Sequence, residues 1–193
     1  DGGNEDMHYT TVNGLKEVSR SEKTYITDEQ HDYGLAATRD AFSAHKQVTA
    51  DAPINETITL TRAVAQLNIF TTDYEQVEES FRPAYTGLTI TTAADFNVLT
   101  GTSFGSATSD LRSYVAVKTE KEGTTPDKNK VFTGYYFTSS EGKNVVDMDV
   151  HFYRADNSEV VTYNMTNIPL QQNYRTNVTG ALLTQTGTLH VET

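Results

Sequence analysis

Cysteine is missing from the chain. Its absence excludes disulfide bonds, thiolate catalysis and cysteine-ligated zinc. A β-rich chain without cysteine suits the cytosol, and equally a bacterial surface protein that avoids disulfides. Tryptophan is missing too, so the aromatic part of a core falls to eleven Tyr and eight Phe. No run of 18 apolar residues occurs, the length that a membrane-crossing helix requires. The opening residues DGGNED carry no signal-peptide pattern and read as the start of a mature or trimmed form. Basic residues are few: 15 Lys and Arg stand against 26 Asp and Glu, a formal net charge of −11. Nucleic acid calls for a basic face, so it is not expected as a partner, and anionic lipid is disfavoured for the same reason. An acidic surface does suit a soluble protein that resists non-specific association.

The 193 residues are enough for one large domain, or one domain plus part of another. Hydrophobic residues make up 36%, low for a globular chain yet above the disordered range. Residues 1–57 are polar and weakly periodic. Apolar islands at Val12, Leu15 to Val18, Tyr25-Ile26 and Ala41-Phe42 predict loops with a few short strands. A stretch this long without structure is improbable inside a compact domain. Residues 1–57 therefore read as the loop-rich C-terminal remnant of a preceding β-sandwich domain, and 58–193 as a β-sandwich domain of their own.

Order strengthens at residue 58. In ETITLTRAVAQLNIF (residues 56–70), Ile58, Leu60 and Val64 share one parity, and Ala63, Ala65, Leu67 and Ile69 the other. A strand alternates with period 2, so the switch predicts a kink near Arg62 that lets one long strand serve two sheets. Thr72 followed by Glu75 fits a capping box, and Tyr74, Val77 and Phe81 recur at helical spacing ahead of Pro83. This predicts one short helix over 73–82. Residues 87–91 read as a strand, and the Gly/Ser/Thr-rich stretch 96–109 as a loop. Residues 114–117 and 131–137 read as strands around a charged loop at 119–130.

The cleanest alternation sets Val146, Met148, Val150 and Phe152 inward, with Asp147, Asp149 and His151 outward. Ala155-Asp156-Asn157-Ser158 is turn chemistry, and Val161, Tyr163 and Met165 alternate again, so 145–165 is a predicted hairpin. Residues 167–184, NIPLQQNYRTNVTGALLT, read as the closing strand of the sandwich, with Gly180 allowing a bend where the strand leaves one sheet for another. Leu189 and Val191 mark a last short strand that pairs in its own sheet or is donated to a neighbour. The fold class is mainly β, an antiparallel β-sandwich with one short helix.

Reactive constellations were sought without result. His8, His31, His45, His151 and His190 form no metal-ligand spacing. His31-Asp32 is the sole adjacent His–carboxylate pair and reads as a solvated turn; His151 reads as a surface residue. Gly105-Ser106 lacks the frame of a nucleophile elbow. Asp147 and Asp149 lie roughly 7 Å apart on one strand face, compatible with glycoside chemistry but ordinary for a polar face. Asp127-Lys128-Asn129 and Asp156 to Glu159 lack the spacing of a calcium loop. The sequons at Asn55, Asn164 and Asn177 arise easily in a Thr-rich chain. No residue is nominated as catalytic, cofactor-binding or metal-ligating, no cofactor is expected, and the chain does not read as an enzyme.

Two segments together carry a resemblance. The first is Leu60-Thr61-Arg62-Ala63-Val64-Ala65-Gln66-Leu67-Asn68-Ile69, preceded by Asp40-Ala41-Phe42. The second is Ile168-Pro169-Leu170, then Asn173-Tyr174-Arg175-Thr176-Asn177 and Gly180-Ala181-Leu182-Leu183-Thr184. The pairing resembles the fimbrillin superfamily of Bacteroidetes, the subunits of their surface fimbriae (type V pili), over residues 40–193. The resemblance implies a transthyretin-like sandwich, a lipoprotein precursor, a place at the outer membrane in a fimbrium, and assembly with other fimbrial subunits by donor-strand exchange. The lipobox Cys and the strands of a first domain are absent from this chain. The alternative is a cell-surface binding module or fimbrial tip adhesin for a host glycan or protein, with Tyr33, Tyr135 and Tyr136 as aromatic candidates. Tyr135 and Tyr136 point to opposite faces of a strand, so at most one of the two serves a ligand, and core packing is the plainer role.

Overall fold

A computed structural model describes residues 9–20, 40–49, 51, 53–116, 118–120, 128–138 and 142–193. In chain order the strands are β1 (Tyr9–Thr11), β2 (Val18–Arg20), β3 (Phe42–Ser43), β4 (Thr61–Arg62), β5 (Ala65–Thr71), β6 (Tyr85–Thr92), β7 (Asp95–Asn97) and β8 (Thr102–Phe104). They continue with β9 (Ala107–Ala116), β10 (Lys118–Glu120), β11 (Lys128–Tyr136), β12 (Asn144–Tyr153), β13 (Glu159–Leu170), β14 (Arg175–Ala181) and β15 (Thr186–Glu192). The Tyr25-Ile26 island, His8, His31-Asp32, Tyr33 and much of the charged loop at 119–130 lie outside the described residues.

Two sheets face each other as a β-sandwich. One has five strands in the order β10-β11-β5-β14-β15, the other four in the order β13-β12-β6-β9. Ala65, Leu67, Ile69, Tyr136 and Val178 from the first meet Leu88, Ile90, Val150, Phe152 and Met165 from the second in one buried cluster. Burying each such aliphatic or aromatic side chain stabilises the fold by roughly 1.5–3 kcal/mol. The predicted hairpin is present as β12 and β13, with His151 opposite Thr162 and Val150 opposite Tyr163. Met148, Val150 and Phe152 are buried, while Asp147 is exposed. All pairs within these two sheets are antiparallel except β5 with β14, which run parallel, Gln66 beside Arg175 and Asn68 beside Asn177.

The kink near Arg62 is present. Thr61 and Arg62 pair with β3, the chain breaks at Ala63 and Val64, and Ala65 enters the five-stranded sheet. Ala63 and Val64 fall into a second core with Phe96, Tyr135 and Phe137. That core lies under a small sheet, β1-β2-β7-β8. The Phe96 and Phe137 rings stack at 5.5 Å, and Tyr9 lies 5.7 Å from Phe137. Two strands of residues 1–57 pair with residues beyond 58: β2, with Val18 opposite Phe96, and β3, with Phe42 opposite Arg62.

Three local expectations are corrected. The helix over 73–82 is absent; two 3-10 turns, Tyr74–Gln76 and Glu79–Phe81, stand there. Between them Val77 and Glu78 are extended, with ψ of 139° and 142°. Arg82 donates to the carbonyls of Val77 (3.2 Å) and Glu75 (3.2 Å), occupying acceptors that a helix would use. A ten-residue helix is marginal without tertiary support, and Phe81, 49% exposed, supplies none.

The stretch 96–109 is not a loop but β7, a turn, β8 and the start of β9. Phe96 anchors it in the second core, and Asn97 Oδ1 accepts the N–H groups of Leu99 (2.9 Å) and Thr100 (3.2 Å) to close the turn. Nor does Gly180 mark a change of sheet, since β14 stays in one sheet throughout. Gly180 lies at a register shift, and the place of its missing Cβ is taken by Leu189, whose Cδ2 would be 2.8 Å away.

Candidate functional site

The sequence candidates are dispersed rather than gathered. Asp147 Oδ1 accepts the Asn167 N–H at 2.9 Å, and Asp149 Oδ1 accepts from Asn164 Nδ2 at 2.7 Å, so both carboxylates serve the β12–β13 pairing. His151 is half-buried on the outer face, between Thr89 Oγ1 (3.2 Å) and Thr162 Oγ1 (2.8 Å). His190 is exposed and contacts Glu192 at 2.9 Å. Asp156 closes a turn by accepting the Ser158 N–H (2.9 Å) and hydroxyl (2.6 Å), which hold its carboxyl below the ordinary value. Tyr135 and Tyr136 do face opposite ways, each into a different core. No group of three metal-ligating side chains occurs among the described residues.

Asp73 went unnoticed in the sequence. It is wholly buried at the end of β5 and receives donors from the turn that follows β14. The Thr184 N–H and hydroxyl each donate at 2.7 Å, the Leu183 N–H at 3.1 Å, and the Thr71 hydroxyl adds a fourth bond. Burial pushes this carboxyl up, but the bonds from Thr71, Thr184 and Leu183 outweigh it and hold it below the ordinary value. The Thr71 hydroxyl also accepts the Leu182 N–H at 3.3 Å. The bonding is saturated, so Asp73 acts as a clamp on the β14–β15 turn and not as a reactive acid. The signal at this place in the sequence, Thr72 followed by Glu75, reads as a helix cap and does not single out Asp73.

The sheet edges differ. β13 borders the four-stranded sheet and is blunted twice. Pro169, opposite Val145, has no N–H to offer, and Asn167, at φ 57°, sits where the register slips. β15 borders the five-stranded sheet and has no proline along Thr186–Glu192. Its Leu189 and Val191 pack on the main core, while Thr186, Thr188, His190 and Glu192 are exposed. Residues 53–60 belong to no described sheet and expose Ile54, Ile58 and Leu60, by 52%, 56% and 62%. These are large exposures for aliphatic side chains that share one parity along the segment.

One family model matches the chain, that of a family of unknown function (DUF6562), and the match runs over residues 1–193. No curated protein and no solved structure matches.

Proposed function

Starting from a chain that belongs to the DUF6562 family, whose function is unknown, we propose that it is a structural subunit of bacterial surface fimbriae that assembles with other subunits by β-strand exchange. The observation that carries this reading is the asymmetry of these two edges: β13 is blunted by Pro169 and Asn167, while β15 has no proline, and its left-handed residue, Gly187, sits at its start, ahead of the regular register of His190–Glu192. An unblocked edge offers backbone N–H and C=O groups to an incoming strand. Ordering that strand costs about 1–2 kcal/mol per residue, and each buried apolar side chain returns roughly 1.5–3 kcal/mol. An insertion therefore needs apolar contacts beyond the ladder. β15 pairs with its own β14, so in this reading it is the edge that accepts, and the donated strand comes from a neighbouring subunit.

The two segments behind the fimbrillin resemblance support the reading from another side. Their central parts, Ala65–Ile69 in β5 and Arg175–Ala181 in β14, are neighbours in one sheet, while Phe42, Thr61 and Arg62 lie in the β3–β4 pair and Ile168–Leu170 in β13. The subunit belongs, on this proposal, at the outer membrane in a fimbrium that serves adhesion. The test is assembly: the secreted protein is treated with an arginine-specific protease and run unboiled on SDS gels. A ladder of SDS-resistant multimers is expected; monomer alone overturns the proposal.

A further inference from the structure

Away from the β15 edge, a groove of about 400 Å³ opens between the end of β3, residues 57–61 and the turn at 98–101. Small-molecule sites fall in roughly the 300–1,000 Å³ range. Its walls are rich in neutral hydrogen-bonding groups: the hydroxyls of Ser43, Thr57, Thr59, Thr61 and Thr100, and the amide of Gln172. Ile58 and Leu99 add apolar surface between them. Among the described residues no carboxylate lines the groove, and His45 supplies its one imidazole.

A second observation points to a ligand. Gln172 Oε1 is shielded from solvent and has no hydrogen-bond partner. Buried amide oxygens are almost always paired, so an orphan on the wall of a groove calls for an explanation. The backbone around it is fixed. The Asn173 N–H donates to Val64 O at 3.0 Å, and the Tyr174 N–H to Gln171 O at 3.0 Å. Gln172 itself lines the groove, and the terminal amide torsion of Gln is broad, so the amide can turn to meet an entering donor. The opposite wall is equally set: Gly101 N–H donates to Asn97 O at 2.8 Å, and Val98 N–H to Leu15 O at 2.9 Å.

The charges narrow the ligand. Lys46 Nζ is paired with Glu56, so the one lysine of the groove is neutralised. A net charge of −11 disfavours anions, and among the described residues His45 is the sole metal-ligating side chain on the wall, too few to hold a cation. What remains is a neutral molecule carrying several hydroxyl groups, able to donate to Gln172 and to exchange hydrogen bonds with threonines. We propose that this groove binds the neutral end of an oligosaccharide, with Gln172 Oε1 accepting one sugar hydroxyl and Thr57, Thr59 and Thr61 contacting others.

The test uses the purified monomeric chain on an array of neutral and sialylated glycans, followed by calorimetric titration of the best neutral binder. Sugar binding is read on the monomer, so its outcome is separate from the outcome of the assembly assay. Two variants are compared. Gln172→Met removes the orphan oxygen, and Thr59→Leu fills the groove from another segment. Each is expected to weaken binding at least tenfold. Thermal stability of Gln172→Met is expected to equal or exceed that of the parent chain, because an unpaired buried acceptor is gone. No binding to any neutral glycan, binding to sialylated glycans alone, or binding unchanged in both variants overturns the proposal.

Discussion

Asp73 and Thr184, 111 residues apart, are joined twice: the backbone N–H and the hydroxyl of Thr184 both donate to Asp73 Oδ2 at 2.7 Å. This one carboxylate ties the end of β5 to the turn between β14 and β15, and so fixes where the edge strand β15 begins.

Replacing Asp73 by Asn puts an N–H₂ group among donors. It is expected to cost about 3 kcal/mol, since bonds to a charged group are lost and buried donors are left unpaired. The pH dependence has a definite sign. The folded carboxyl is held below its ordinary value of about 3.9, so its contribution is present above that value and is lost as pH falls through the folded value. Urea unfolding at neutral pH and near pH 3 should show the parent losing stability on acidification by more than Asp73→Asn does. Equal losses would refute the clamp.

Asn68 is nearly buried and central to a polar ladder on the outer face of the five-stranded sheet. Its Nδ2 donates to Asn177 Oδ1 at 2.8 Å, and its Oδ1 accepts the Thr133 hydroxyl at 3.0 Å. Asn177→Ala strands the Asn68 amide and is expected to destabilise by about 1–3 kcal/mol. A double-mutant cycle with Asn68→Ala should return a coupling of about 1 kcal/mol. Additive losses would mean that the contact contributes nothing.

Gly134 is flanked by two core rings. A Cβ there would lie 2.7 Å from Tyr136 Cε2 and 2.8 Å from Phe132 Cε1. Neither ring can yield without leaving the core, so Gly134→Ala is expected to cost about 1–3 kcal/mol by overpacking. A lowered Tm checks this; an unchanged Tm would show that the rings have room.

Arg62 binds Asp40 at 2.7 Å, and its guanidinium lies 5.0 Å over the Phe42 ring. The pair is partly exposed, so Arg62→Ala is expected to cost only about 0.5–1 kcal/mol overall. Its local effect should be larger. Hydrogen exchange at the Ala63 amide, which donates to Ala41 O at 2.8 Å, is expected to speed up as the β3–β4 arm opens. Unchanged exchange there would remove any role for Arg62 in holding the arm.

Some of this was legible in the residues. The alternation of Met148, Val150 and Phe152 marked β12, and the parity switch around Arg62 marked the break between β4 and β5. The opposite headings of Tyr135 and Tyr136 were also legible. Period two is a local property, and burial on one face writes it directly into the sequence. The stretch at 73–82 misled because its spacing matches a helix, while the outcome turned on Asp73 reaching the 182–184 turn and on Arg82 taking the carbonyls.

Residue order alone thus set the β12–β13 hairpin, the break near Arg62 and the acidic, cysteine-free composition. The parallel seating of β14 beside β5, the Asp73 clamp and the groove beside Gln172 came only with the folded chain. Each unites groups from segments far apart in the chain. Nothing in the spacing of nearby residues encodes such a meeting; it is selected by the packing of two whole sheets.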